Sequence, residues 1–140
     1  IEMFSFGVMI CFEDIFPAIA RKFVINGADF LVNMTNDAWF GDTCASKQHL
    51  IASVFRAVEN KVPVIRSANT GISCFIDPFG RISGVIELNG KSNFVEGIQE
   101  QAIVTYPLKS LYTRFGDIFV LLCFIILCVY LGIKNGGKNG

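Results

Sequence analysis

Residues 4–10 read FSFGVMI, an unbroken apolar run of strand length, and CFED follows at once at 11–14. An apolar run without alternation marks a strand buried on both faces, the kind that parallel sheets contain. Asp14 is placed to N-cap the next helix. Pro17 falls in that helix's first turn, where a missing N–H does no harm, and Asn26-Gly27 closes it. Residues 30–34 (FLVNM) read as a second buried strand. Leu50, Ile51, Val54, Phe55 and Val58 then recur on one face of a helix over 46–60. Residues 63–67 (PVIRS) are a third strand. Strand–helix–strand–helix–strand implies right-handed crossovers and a parallel sheet, hence an α/β fold.

From Ile72 onward short strands follow one another through turns. Asp77-Pro78-Phe79-Gly80 suits a type I turn, and Asn89-Gly90 is a strong hairpin signal. Antiparallel strands are expected near 74–76, 82–88, 94–97 and 103–106. Residues 107–117 then link this domain, 1–106, to a charge-free stretch at 118–133 (IFVLLCFIILCVYLGI). That stretch is apolar all round, with Tyr130 near one end and a polar tail at 134–140. As a helix it is about 24 Å long, slightly short of a hydrocarbon core of about 30 Å. The expectation is a C-terminal transmembrane helix, with a buried core helix as the alternative.

Composition narrows the function. The chain has 140 residues, is 52% apolar and only 17% charged, and has a mean hydropathy of +0.51. Intrinsic disorder is excluded, since it needs little apolar content and much charge. Twelve basic residues balance twelve acidic ones, so no general nucleic-acid binder is indicated. Five cysteines, an odd number without regular spacing, speak against a disulfide framework. One histidine and no C-x-x-C speak against structural zinc. The first residue is Ile1, as expected of a fragment or a processed product.

Chemistry concentrates at two places. Cys11 ends the first strand just before a helix N-terminus, where the helix dipole favours thiolate and a strand-to-helix turn pushes the side chain outward. Glu13 could orient a substrate or a base. The residues alone leave a buried structural cysteine as the alternative. The second place is the run Asn33-Met34-Thr35-Asn36-Asp37-Ala38-Trp39-Phe40-Gly41 after the second strand. Arg66-Ser67-Ala68-Asn69-Thr70-Gly71 leaves the third strand at the same edge, the carboxyl edge where parallel sheets bind ligands. Ordinary turn chemistry is the alternative there. His49 is read on the polar side of its helix, in a capping or solvent role, and Arg56 with Glu59 as a pair one turn apart. The glycosylation-like Asn33-Met34-Thr35 and the P-loop-like stretch from Gly132 to Asn139 are rejected on context. Cys44, Cys74, Cys123 and Cys128 are read as inert.

Taken in order, Ile10-Cys11-Phe12-Glu13, Asn36-Asp37-Ala38-Trp39-Phe40-Gly41, Gln48-His49, Arg56-Ala57-Val58-Glu59, Arg66-Ser67-Ala68-Asn69-Thr70-Gly71-Ile72 and Ile76-Asp77-Pro78-Phe79-Gly80 form a specific set. The set resembles the nitrilase-type (carbon–nitrogen hydrolase) domain of bacterial apolipoprotein N-acyltransferases. Tyr112-Thr113-Arg114-Phe115-Gly116-Asp117 ahead of the final apolar run fits the same family. The resemblance implies part of an α/β–β–α sandwich followed by one transmembrane helix, and a Glu–Lys–Cys triad. Cys11 would be the nucleophile and Glu13 the carboxylate of the family's Cys-Tyr-Glu element, with Phe12 standing in place of Tyr. Phe12, Asn36, Asp37, Trp39, Phe40 and Asn69 would form the substrate rim. The triad's Glu and Lys lie upstream in the family, so this chain resembles the C-terminal portion, and residues 1–140 alone are expected not to turn over.

The implied reaction moves an acyl chain from a membrane phospholipid to the cysteine as a thioester. The chain then passes to the N-terminal amine of a diacylglyceryl-cysteine lipoprotein. No metal or dissociable cofactor is implied. The implied location is the bacterial inner membrane, with the catalytic domain periplasmic. A membrane-tethered nitrilase-like amidase and a non-catalytic remnant are the alternatives.

Overall fold

The computed structural model describes residues 3–106 and 109–136. One sheet has the strand order β1-β2-β3-β4-β5. β1 (Phe6–Ile10), β2 (Phe30–Asn36) and β3 (Val64–Asn69) run parallel. β4 (Cys74–Ile76) and β5 (Ile82–Ser83) extend the sheet antiparallel. The crossovers are α1 (Pro17–Ile25) and α2 (Ala45–Asn60). Crossovers of one hand along a sheet that grows in one direction place both helices on the same face. Met9, Leu31, Val64 and Ile76 face the helices and are buried. Gly7 has no side chain, which lets the Phe23 ring of α1 lie directly on β1.

The opposite face differs from the expectation of strands buried on both sides. Phe6, Ile10 and Met34 alternate with the buried residues and are each more than half exposed. Among the described residues, only at β3 and β4 does another part of the chain, the irregular segment 84–101, lie near that face, against Ile65 and Phe75.

Local details depart where backbone geometry or buried charge overrides propensity. Asp14 does not cap α1. The chain first makes a 3₁₀ turn over Cys11–Ile15, and Phe16 precedes Pro17 as the cap residue without a side-chain hydrogen bond. Asp14 instead points inward, fully buried. On α2, Ile51 and Phe55 are exposed, so the expected apolar face is only partly the buried one. The turn at Asp77–Gly80 closes with Gly80 N–H donating to Asp77 O at 2.9 Å. The Asn89-Gly90 hairpin shrinks to a single bridge between Leu88 and Lys91. Of the expected strands over 82–88, 94–97 and 103–106, only Ile82–Ser83 forms. Gly84 (φ +56°) is left-handed where the strand Ile82–Ser83 ends, and Phe94 (φ +55°) is left-handed where the next was expected to begin.

Within residues 107–117, of which 107 and 108 lie outside the described residues, α3 (Leu111–Phe115) packs on the domain. Thr113 Oγ1 donates to Asn60 Oδ1 at 3.1 Å, Ser110 Oγ donates to the Glu59 carbonyl, and Arg21 Nε reaches the carbonyls of Tyr112 and Thr113. α4 (Ile118–Gly136) follows, with apolar side chains such as Phe119, 74% exposed, bare on its surface. Among the described residues no helix is long and apolar enough to cross a membrane. The transmembrane helix expected over 118–133 is therefore not supported; its charge-free run rises only about 24 Å. Lys134 belongs to the last turn of α4, while residues 137–140 of the expected tail, Lys138 included, lie outside the described residues.

Candidate active site

The parallel register brings the C-terminal ends of β1, β2 and β3 to one edge: Ile10 pairs with Met34, and Asn36 with Asn69. Cys11 is the first residue past β1 and has φ +51°. A left-handed non-glycine residue costs of order 1–3 kcal/mol and persists only where its surroundings fix it. The surroundings do so here. Asn33 Nδ2, from the neighbouring strand, donates to the Cys11 carbonyl at 3.2 Å. Glu13 Oε2 accepts the Ile10 N–H at 2.7 Å. Arg56 Nη1 donates to the Asp14 carbonyl at 3.2 Å.

The α1 helix dipole expected to favour the Cys11 thiolate does not reach it. α1 begins six residues after Cys11, and a macrodipole acts over its own first turn. Backbone geometry, rather than α1, distinguishes this cysteine. The thiol is half-buried, whereas Cys44, Cys123 and Cys128 are exposed and Cys74 is buried. Burial pushes the Cys74 thiol up to about 11, against the pull of Arg66, so Cys74 is held as a neutral thiol.

Beneath the turn lies a buried charged cluster. Asp14 Oδ1 faces His49 Nε2 at 2.9 Å, and Asp37 Oδ1 faces His49 Nδ1 at 2.8 Å. Arg66 donates from Nη1 to Asp14 Oδ2 at 3.0 Å and from Nη2 to Asp37 Oδ2 at 3.1 Å. Ser53 Oγ donates to Asp14 Oδ2 and accepts Arg66 Nη1, and Thr35 Oγ1 donates to Asp37 Oδ1. Burial alone would lower the pKa of His49. Its hydrogen bonds to Asp14 and Asp37 outweigh that and the repulsion of Arg66, leaving it above the ordinary histidine value.

These placements revise the reading of single residues. Asp37, assigned to the rim, and Arg66, placed at a strand exit, are both buried below it. His49, read as a capping or solvent residue, is only 5% exposed. The signal was present in α2. Ser46, His49, Ser53, Arg56 and Asn60 recur at spacings of three and four and are all buried, so a polar stripe lies beside the apolar one. Arg56 and Glu59 pair at 2.9 Å, as their spacing suggests.

The rim itself is assembled from the remaining residues. Asn69 Nδ2 donates to Asn36 Oδ1 at 3.1 Å and joins the ends of β2 and β3. The Phe12 and Phe40 rings meet edge-to-face at 5.8 Å. Trp39, on the 3₁₀ turn Ala38–Phe40, stands apart with 88% of its surface exposed. A groove of about 450 Å³ runs along β3 and β4 and shares Asn69 with the rim. Among the described residues no three His, Cys, Asp and Glu side chains are arranged to hold a metal ion; Arg66 occupies the space between Asp14 and Asp37.

The profile of the carbon-nitrogen hydrolase family matches residues 2–104. The chain belongs to the carbon-nitrogen hydrolase family. Within it, the chain is similar to apolipoprotein N-acyltransferases. It is 45% identical to that of Geobacter metallireducens over 84% of this chain and 22% of the relative. It is 42% identical to that of Rickettsia prowazekii over 88% and 24%, and 37% identical to that of Thermotoga maritima over 95% and 26%. The chain thus spans about a quarter of the length of these curated relatives. The crystal structure of a carbon-nitrogen hydrolase from Helicobacter pylori G27 superimposes with a TM-score of 0.50 at 16% identity, over 58% of this chain and 36% of that one. This carbon-nitrogen hydrolase chain therefore shares that protein's mixed α/β sheet as a fold.

Proposed function

We propose that this carbon-nitrogen hydrolase segment carries the nucleophile of a lipoprotein N-acyltransferase, with Cys11 as the attacking thiol. The observation that carries the reading is the left-handed Cys11 at the carboxyl edge of the first parallel strand, in a chain similar to apolipoprotein N-acyltransferases. In the first half-reaction the Cys11 thiolate adds to the ester carbonyl of a phospholipid. The C–O bond then breaks, and the lysophospholipid oxygen takes up the proton that a base removed from the Cys11 thiol. In the second half-reaction the amine of a diacylglyceryl-cysteine N-terminus adds to the thioester carbonyl. The C–S bond breaks, the amide forms, and the amine's proton passes to a base. A thioester is open to an amine, so two accessible steps replace one difficult step.

Within this reading the Phe12 N–H is a donor for the oxyanion that develops at each addition. Glu13 holds the turn by its bond to Ile10 N–H, and Phe12, Phe40, Trp39, Asn36 and Asn69 form the rim that meets the acyl chain and head group. Asp37 supports that rim from below. The bare apolar surface of α4 supports contact with a bilayer, where such a surface is removed from water. The reading places the domain on the periplasmic side of the bacterial inner membrane.

The test is to incubate the natural full-length protein with phospholipid and no lipoprotein, then map acylation by peptide mass spectrometry. A hydroxylamine-sensitive acyl group on Cys11, absent in Cys11→Ala, is expected. An acyl group on another cysteine, or N-acylation by Cys11→Ala, overturns the proposal. Cys11→Ser should be severely impaired, since a hydroxyl is far less ionised than a thiol.

A further inference from the structure

We infer that His49 is a positioning residue for the Cys11 turn, bridging Asp14, three residues past the thiol, to Asp37 at the root of the rim loop. The kinetic part of this inference rests on the acyl-transfer reading; its structural part does not.

The geometry settles which form of the ring fits. Each ring nitrogen faces a carboxylate oxygen within 2.9 Å. An ionised carboxylate only accepts, and a neutral imidazole has one N–H. A neutral ring would therefore aim a lone pair at one carboxylate, whereas an imidazolium donates to both. Arg66 Nη2, 3.0 Å from Nδ1, would suit a neutral ring, but the contact to Asp37 is shorter. Charge balance points the same way: two buried carboxylates face Arg66 alone unless the ring is charged. The other ionisable groups around the cluster fit this balance. Arg56, also on α2, is paired with Glu59 and reaches only the Asp14 carbonyl. Cys74, on β4 beside Arg66, is held as a neutral thiol.

The cluster touches the Cys11 turn at three points. The Phe12 ring lies 5.0 Å from the His49 ring. The Asp14 side chain is held by His49, Ser53 and Arg66. Asn33, which donates to the Cys11 carbonyl, is in turn reached by Arg66 Nη1 at 3.4 Å. His49 is the member of this cluster whose charge changes near neutral pH. Loss of its proton leaves Asp14 and Asp37 sharing one cation and loosens the support that holds Cys11 at a strained φ.

The experiment uses the natural full-length protein in detergent. Nitrogen-15 NMR of labelled histidine, assigned by the signals lost in His49→Gln, is expected to show both His49 ring nitrogens protonated at pH 7. Acylation of Cys11 from phospholipid in mixed detergent micelles should fall in wild type as pH rises through that NMR titration. His49→Gln should lower kcat by about tenfold to a hundredfold, as expected of a displaced nucleophile, leave KM for phospholipid within about twofold, and lack the alkaline fall. Alkylation of Cys11 by iodoacetamide should slow in the same variant. A neutral, single-tautomer ring at pH 7 overturns the inference, and so does a His49→Gln enzyme with wild-type kcat or an unchanged alkaline fall. If wild type forms no thioester, the acyl-transfer reading fails, and the NMR and alkylation results still decide the role of His49. If His49→Gln does not fold, the His49 signals are assigned by their shift in Phe40→Leu, whose ring lies 5.9 Å from that of His49, and the wild-type protonation state and its coincidence with the fall in rate decide it.

Discussion

Glu13 Oε2 accepts the backbone N–H of Ile10 at 2.7 Å, so the carboxylate two residues past Cys11 closes the turn back onto the strand that precedes it. The bond spans the cysteine and restrains its backbone from both sides. Glu13→Gln keeps an acceptor at the same reach and should retain stability. Glu13→Ala should lose about 1 kcal/mol in urea unfolding, the usual worth of such a bond, and slow Cys11 acylation. Equal stability and equal rate in the alanine variant would show that the bond does not hold the turn.

Gly71 tests the cluster without altering any charge. A Cβ on Gly71 would overlap Asp37 Oδ2 and crowd the Ala68 Cβ at 3.0 Å. Asp37 cannot step aside freely, since His49, Arg66 and Thr35 all hold it. Gly71→Ala is therefore expected to destabilise by about 3 kcal/mol or more, in the range found when a buried ion pair is broken. Thermal unfolding measures it, and a midpoint within a degree or two of wild type would contradict the packing described.

The raised pKa of His49 sets the sign of a pH dependence. A group whose folded pKa lies above its unfolded value adds stability that is fully present below the unfolded value, near 6.5 for histidine. That stability is lost as pH rises through the folded value. Denaturant midpoints should therefore decline as pH rises from about 6.5 through the folded value in wild type, and this component should be missing in His49→Gln. A wild-type midpoint that rises across the same window, with the variant showing no difference, would refute the assignment.

The parallel strands, both crossover helices and the turn at Asp77–Gly80 were legible because each follows from local pattern and turn chemistry. The position of Cys11 at a strand end was legible for the same reason. The buried cluster was not, because its members sit far apart in sequence: Asp14, Asp37, His49 and Arg66 meet only after the sheet has formed. A polar side chain is ordinarily assigned to solvent, but on this stripe His49, Ser53 and Arg56 find buried partners in Asp14, and Asn60 finds one in Thr113. The overlong strand expected at 82–88 failed on one backbone angle, the positive φ of Gly84, which apolar alternation does not report. The exposed face of β1 and β2 had no local signature either, since the same apolar residues suit a face packed against another layer.

Two neighbouring aromatics on the rim loop separate substrate contact from support. Trp39 is 88% exposed, while Phe40 packs against the rings of Phe12 and His49 at 5.8 and 5.9 Å. An exposed side chain contributes little to stability, so Trp39→Ala should unfold within about 0.5 kcal/mol of wild type. If Trp39 lies against the acyl chain, its loss should raise KM for phospholipid several-fold, with kcat changed less. Phe40→Ala removes one aromatic contact to Phe12 and one to His49 and should cost about 1–2 kcal/mol. It should also lower kcat, because the support beneath Cys11 loosens. Steady-state N-acylation of a diacylglyceryl-cysteine peptide at varied phospholipid, with urea unfolding of the same samples, measures both. A Trp39→Ala protein that is markedly unstable, or a Phe40→Ala protein that changes KM alone, would reverse the roles assigned to the two rings.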